Sequence, residues 1–199
     1  MKEMLGVRIT FAGRRAIYEE LLELTSDTIV SIGYIDDPND CKCGDLMLLD
    51  YYIDSNCKAY RIDNDVIGKL ARLMVGEAND LMVGADAGSK RFGIVLMSGN
   101  ELLMHATLTP RRAVSILKEL RGALAIGNNA LGRSFVRDIN ACRVFDSVTL
   151  VNEAEAAVKR DWLRDRYPSL ESDELDAVAI ALSSIGGIDA CRRQKIKIT

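Results

Sequence analysis

Asp86 is a lone acid inside the segment Gly84-Ala85-Asp86-Ala87-Gly88-Ser89-Lys90-Arg91-Phe92-Gly93. Leu81-Met82-Val83 before it reads as a buried strand, so the carboxylate falls where that strand ends or lies deepest. A charge there is costly unless a partner or a metal ion compensates it. Gly88 and Gly93 let the chain fold back into a second apolar run, Ile94-Val95-Leu96-Met97. The resulting hairpin carries Lys90 and Arg91 at its tip, close to the acid. Such an arrangement can hold a divalent cation beside a phosphate-binding edge.

Three further acids can converge on Asp86. Glu153 follows a strand, and Asp173 and Asp176 are three apart, which puts both carboxylates on one face of a helix. The run Ala177-Val178-Ala179-Ile180-Ala181-Leu182 behind them is rich in small residues, so that helix can lie close to a sheet. Each acid has a plainer reading. The helix macrodipole alone favours acids in a first turn, which would account for Asp173 and Glu153. Glu155 reads as part of a solvated face. Asp86 has no such explanation, and the four acids together are better read as a metal site than as separate accidents.

Other candidates are weaker. Lys90, Arg91, Arg111, Arg112, Arg133 and Arg137 could contact phosphates, although exposed arginines are ordinarily just solvated. The tail Arg192-Arg193-Gln194-Lys195-Ile196-Lys197 is a stronger electrostatic feature. Cys41-x-Cys43 with Cys57 offers three thiolates but no nearby histidine for a structural zinc. His105, the single histidine, sits in an alternating strand and reads as packing. Without it no Ser-His-Asp or Cys-His arrangement can be built.

The elements that must position these residues follow from periodicity. Residues 1–79 read as a small α/β unit, with strands over Leu5–Phe11, Thr28–Ile35, Leu46–Ile53 and Ala59–Ile62. Helices are expected from Arg14 to Leu24 and from Asp65 to about Val75, and Gly76–Asp80 reads as a linker. Strands then run over Leu81–Asp86, Phe92–Met97 and Glu101–Leu108, the last two joined by a Gly99-Asn100 hairpin turn. Thr109-Pro110 caps and opens a helix to Arg121. A strand at Ala123–Ile126, a helix from Ala130 to Asn140 and a strand at Val144–Val151 follow. Helices from Ala154 to Arg166 and from Asp173 to Ile185 complete the chain, the latter stopped by Gly186-Gly187. This order implies a mixed α/β sheet with helices packed on it, preceded by the small α/β unit.

The 199 residues are 48% apolar and 28% charged, enough for one large domain or two small ones. The expected division is 1–79 and 80–199. No run is long enough to span a bilayer, no signal-peptide pattern opens the chain, and five scattered cysteines do not suggest a disulfide framework. The expected setting is the cytoplasm, with thiols mostly reduced. The net charge of −3 conceals an asymmetry. Residues 1–79 hold 9 Lys and Arg against 14 Asp and Glu, whereas residues 80–199 hold 17 against 15. A mildly basic body around an acid cluster suits a polyanionic partner and bridging metal ions.

The segment Gly84-x-Asp86-x-Gly88-x-Lys90-Arg91-x-Gly93 resembles the first-strand motif of the YqgF family, in the RuvC-like branch of the ribonuclease H-like superfamily. Val151-Asn152-Glu153 is similar to that family's segment after its last strand, with Asn152 in place of an acid. Asp173-Glu174-Leu175-Asp176 and the alanine-rich run behind it resemble the terminal helix of RuvC. The resemblance spans residues 81–185. It implies a ribonuclease H-like fold in which Asp86, Glu153, Asp176 and Asp173 bind Mg²⁺ or Mn²⁺ for phosphodiester hydrolysis in structured nucleic acid, a DNA junction or a precursor RNA. Lys90, Arg91, Arg192 and Arg193 would contact that nucleic acid, and residues 1–79 would serve self-association or another partner. RuvC carries an acid where this chain has Gly127-Asn128-Asn129. Asn128 and Asn152 keep open a second reading, a non-catalytic nucleic-acid-binding or scaffold protein with a decayed site. A sugar-kinase-like domain also opens on Gly-x-Asp-x-Gly, but it needs a second phosphate loop and a longer chain.

Overall fold

The computed structural model describes residues 6–40, 46–56, 59–78 and 80–191. Two sheets organise it. The first has four parallel strands in the order β2-β1-β3-β4, with β1 at Arg8–Ala12, β2 at Ser31–Tyr34, β3 at Leu46–Asp50 and β4 at Tyr60–Ile62. Helix α1 (Arg15–Leu24) connects β1 to β2, and α2 (Val66–Glu77) follows β4 and leads to the second sheet. Arg14 closes the sheet's carboxyl end on the buried Asp50, its backbone N–H and Nη2 at 3.1 Å and its Nε at 2.5 Å. Helix α2 continues into the stretch expected to be a linker.

The second sheet is mixed. Strands β5 (Leu81–Ala87), β6 (Phe92–Ser98) and β7 (Glu101–Leu108) form an antiparallel meander. Strands β8 (Ala123–Gly127) and β9 (Ser147–Val151) extend it in parallel from β5, with β10 (Ile188–Asp189) antiparallel at the edge. The order is β10-β9-β8-β5-β6-β7. This is the mixed sheet with flanking helices expected of a ribonuclease H-like fold. Gly99 takes φ +59° at the β6–β7 turn, a value glycine adopts without strain.

Alternation along β5 divides the core. Val83, Ala85 and Ala87 face an apolar layer shared with α3 (Pro110–Leu117), α4 (Ala130–Asp138), α5 (Ala141–Val144) and the first sheet with its helices. Gly84 and Asp86 face the other side, where α6 (Glu153–Ala157), α7 (Arg160–Arg166) and α8 (Ser172–Leu182) pack. The core is therefore continuous from the first sheet onto one face of the second. No helix among the described residues is long and apolar enough to cross a membrane.

Several boundaries differ from expectation. The strand before Glu153 starts at Ser147, because Ala141–Val144 forms a helical turn under which Ala141 is fully buried. The helix expected over 154–166 is two helices broken at Val158-Lys159. Helix α8 ends at Leu182 and passes through a 3-10 turn at Ser184–Gly186 into β10, an edge strand too short to show periodicity.

The cysteines also depart from expectation. Cys142 and Cys191 form a disulfide across 49 residues, brought together when β10 returns alongside β9. The Cys41, Cys43 and Cys57 set lies outside the described residues. A crosslink closing so long a loop restricts the unfolded chain, and its loss is expected to cost about 3 kcal/mol. Urea denaturation with and without reductant, and of Cys142→Ser, measures that loss as a lower midpoint.

Candidate functional site

Glycines set where α8 can lie. A Cβ on Gly84 would strike the Ala177 carbonyl and crowd Val95 and Ala181, and one on Gly93 would strike the Asp173 carbonyl. Gly93 is the register partner of Asp86 across β5–β6. The glycines on either side of Asp86 thus let the helix backbone settle on the sheet, and Ala177 and Ala181 complete the close approach. Gly88 allows the tight β5–β6 return, where a Cβ would meet the Arg91 carbonyl.

This seating brings Asp176 to Asp86. Together with Glu153 and Arg160 they line one cavity of about 270 Å³, floored by Ala156, Ala179 and Ile180. Glu153 stands at the first position of α6, and a Cβ on Gly127 would occupy the place of its carboxylate. Asn129 Nδ2 donates to Glu153 Oε1 at 2.5 Å while its own Oδ1 accepts from the Gly132 N–H at 2.7 Å. Burial pushes the Asp86 carboxyl up to about 6, and Asp176, Glu153 and Asp173 add to the rise while Arg160 opposes it. Asp176 is also raised, chiefly by burial, with Arg160 pulling it back and Asp173 pushing it further.

Asp173 is placed differently from Asp176 despite sharing its helix face. Its Oδ2 accepts from Arg91 Nε at 2.5 Å, and Arg91 also pairs with Glu171. Arg91, expected to meet phosphate, therefore first tethers the start of α8 to the hairpin. Lys90 is exposed at the hairpin tip. The cap of α8 is not Asp173 but a reciprocal box between Glu171 and Glu174, in which the Glu171 N–H donates to Glu174 Oε2 at 2.9 Å. Asn128 and Asn152, the positions where acids were absent, hold local structure. Asn128 Oδ1 accepts from Arg133 Nε at 2.9 Å, and Asn152 Oδ1 accepts from the Ala154 N–H at 3.1 Å. Arg192 and Arg193 lie outside the described residues.

The donor set of the cavity is three carboxylates, the hard oxygen chemistry that Mg²⁺ and Mn²⁺ take. Burial, with the three neighbouring acids adding to it, raises Asp86 to about 6, and a cation among these carboxylates would relieve both effects. Among the described residues no three acidic, histidine or cysteine side chains are already gathered closely enough to hold an ion. The acids fit a cation in kind.

Sequence reasoning missed one cluster. Buried His105 lies with Nδ1 3.0 Å from Glu174 Oε2 and Nε2 3.1 Å from Ser26 Oγ. Ser26 Oγ is in turn 2.9 Å from Ser169 Oγ. The order of groups resembles a nucleophile, base and acid. However, Glu20, Glu23 and Glu171 line the same cavity with Glu174, a field that opposes the oxyanion of acyl transfer. The cluster is a crosslink of α1, β7 and α8. No sequence spacing could have indicated it, because its members lie 79 and 143 residues from Ser26.

No protein-family profile and no curated protein sequence matches the chain. Among solved structures it is similar to the RuvC of Thermus thermophilus in complex with a Holliday junction substrate. That similarity has 16% identity and a TM-score of 0.40, over 53% of this chain and 92% of that one. A second Thermus thermophilus RuvC structure is similar at 15% identity and a TM-score of 0.39, over 55% of this chain and 99% of the other.

Proposed function

We propose that the protein is a metal-dependent nuclease that hydrolyses phosphodiester bonds in structured nucleic acid, a branched DNA or a folded RNA. The observation that carries this reading is the juxtaposition of Asp86, Glu153 and Asp176 in one cavity, with Asp86 on a strand face where packing alone asks for an apolar residue. Asp86, Glu153 and Asp176 are the ligands, and Asp173, held by Arg91, is the reserve fourth. Divalent ions bound there would supply an activated water and stabilise the departing 3′ oxygen. The chain's own contribution is a rigid platform: α8 seated on glycine, Glu153 steadied by Asn129, and Lys90 at the hairpin tip for a flanking phosphate. Incubation of four-way DNA junctions and hairpin RNAs with the protein and Mg²⁺ or Mn²⁺ tests the reading, with Glu153→Gln as the matched control. Cleavage by the wild type that is lost in Glu153→Gln is the expected outcome.

A second reading has specific support. Asn128 and Asn152 are committed to local hydrogen bonds and Asp173 to Arg91, which leaves the site short of charge for two ions. Binding of the same nucleic acids without cleavage in either metal would select this non-catalytic role.

The basic tail contributes affinity and not chemistry in either case. Truncation after Cys191 spares the disulfide and removes Arg192, Arg193, Lys195 and Lys197. It should weaken binding and flatten the slope of log affinity against log salt by up to about 3.6. An unchanged slope would show the tail to be irrelevant. We assign residues 1–79 to association with a second copy or another protein, supported by exposed Tyr51, Tyr52 and Tyr60 near one edge of the first sheet. Sedimentation of the full chain and of Tyr52→Ser should then give different masses.

A further inference from the structure

We propose that Arg160 is a displaceable counter-cation of the acid cavity, neutralising it when no metal is bound and leaving when a divalent ion enters. This rests on the reading of Asp86, Glu153 and Asp176 as a metal site. The break between α6 and α7 makes the placement: Lys159 Nζ donates to the Leu182 carbonyl at 3.0 Å and to Ser183 Oγ at 2.6 Å, at the end of α8. The next residue, Arg160, reaches toward the start of α8, where its Nη2 bonds Ser172 Oγ. A continuous helix, as the sequence suggested, would not divide these two cations between opposite ends of α8.

The guanidinium is held by charge more than by geometry. Its Nε lies 3.3 Å from Asp176 Oδ1, yet this buried N–H has no aligned acceptor. A structural arginine on a carboxylate ordinarily makes two parallel hydrogen bonds. Here one N–H faces the acids without a bond, so the directional bond its departure must break is that of Nη2 to Ser172. A divalent ion between the same carboxylates would repel the guanidinium in a cavity of about 270 Å³ that all four side chains line. Arg160 and the ion therefore compete for one set of oxygens. Turned outward, the planar fork would stand at the rim of the site, free to meet phosphate.

Mn²⁺ titration calorimetry and thermal denaturation of the full chain test the competition in wild type, Arg160→Gln and Arg160→Lys. Arg160→Gln should melt lower without metal, bind Mn²⁺ about fivefold more tightly, and gain more melting temperature from it. Arg160→Lys keeps the charge and should bind Mn²⁺ close to wild type. If Arg160→Gln is too unstable to titrate without metal, its recovery by Mn²⁺ supports the same conclusion. Equal or weaker Mn²⁺ binding by Arg160→Gln overturns the role of Arg160 while leaving the metal site standing. Absence of Mn²⁺ binding by both proteins overturns the metal site and the role together.

Discussion

Asp86→Asn should be more stable than wild type without metal above about pH 6, and should not cleave nucleic acid. Burial and neighbouring acids raise the Asp86 carboxyl from its ordinary 3.8 to about 6. Between those values the folded protein keeps a proton that the unfolded chain gives up, so stability falls as pH rises through this window. Above about pH 6 the whole penalty is present, of the order of 1–3 kcal/mol. Asparagine keeps the shape and removes the charge. Urea denaturation should therefore show a gain of that size at about pH 8 and almost none at about pH 4. A variant clearly destabilised at about pH 8 would identify Asp86 as a structural hydrogen-bond acceptor, and the nuclease reading would fall with it.

His105→Ala should cost about 3–5 kcal/mol, because it leaves the Glu174 carboxylate buried without the imidazole that faces it at 3.0 Å. Both side chains are about 95% removed from solvent, at 4% and 5% exposure. Burial pushes the Glu174 carboxyl up, but His105 and the Glu171 backbone N–H outweigh it and hold the group below its ordinary value. A lowered acid contributes stability that is present at neutral pH and lost as pH falls through its folded value. The variant should accordingly lose most near neutrality and show a shallower decline in acid. Chemical denaturation across that range measures both. A loss under about 1 kcal/mol would mean that water enters and replaces the imidazole.

The local chemistry of the site was more legible than its tertiary ties. The apolar run before Asp86 placed it at the end of a buried strand, and the small residues behind Asp176 marked a helix that can lie close to a sheet. That Gly84 and Gly93 receive its backbone is visible only in the fold. The three-residue spacing of Asp173 and Asp176 fixed a shared helix face. It could not show that Arg91, 82 residues away, would claim one of the pair. The α6–α7 break was hidden because Ala154–Arg166 contains neither glycine nor proline, and at the break Lys159 caps the end of α8, a tertiary contact no local pattern encodes. The disulfide and the His105 crosslink are long-range pairings that no local pattern encodes. An odd cysteine count and a single strand histidine pointed away from both.

Calorimetric titration of Mn²⁺ into the full chain at about pH 7.5, wild type against Asp86→Asn, tests the acid cavity most directly. The wild type should bind saturably, and the substitution should weaken binding at least about tenfold, because it removes the central charged ligand. Equal binding by the two proteins, or no binding by the wild type at millimolar Mn²⁺, would contradict a metal site built on Asp86.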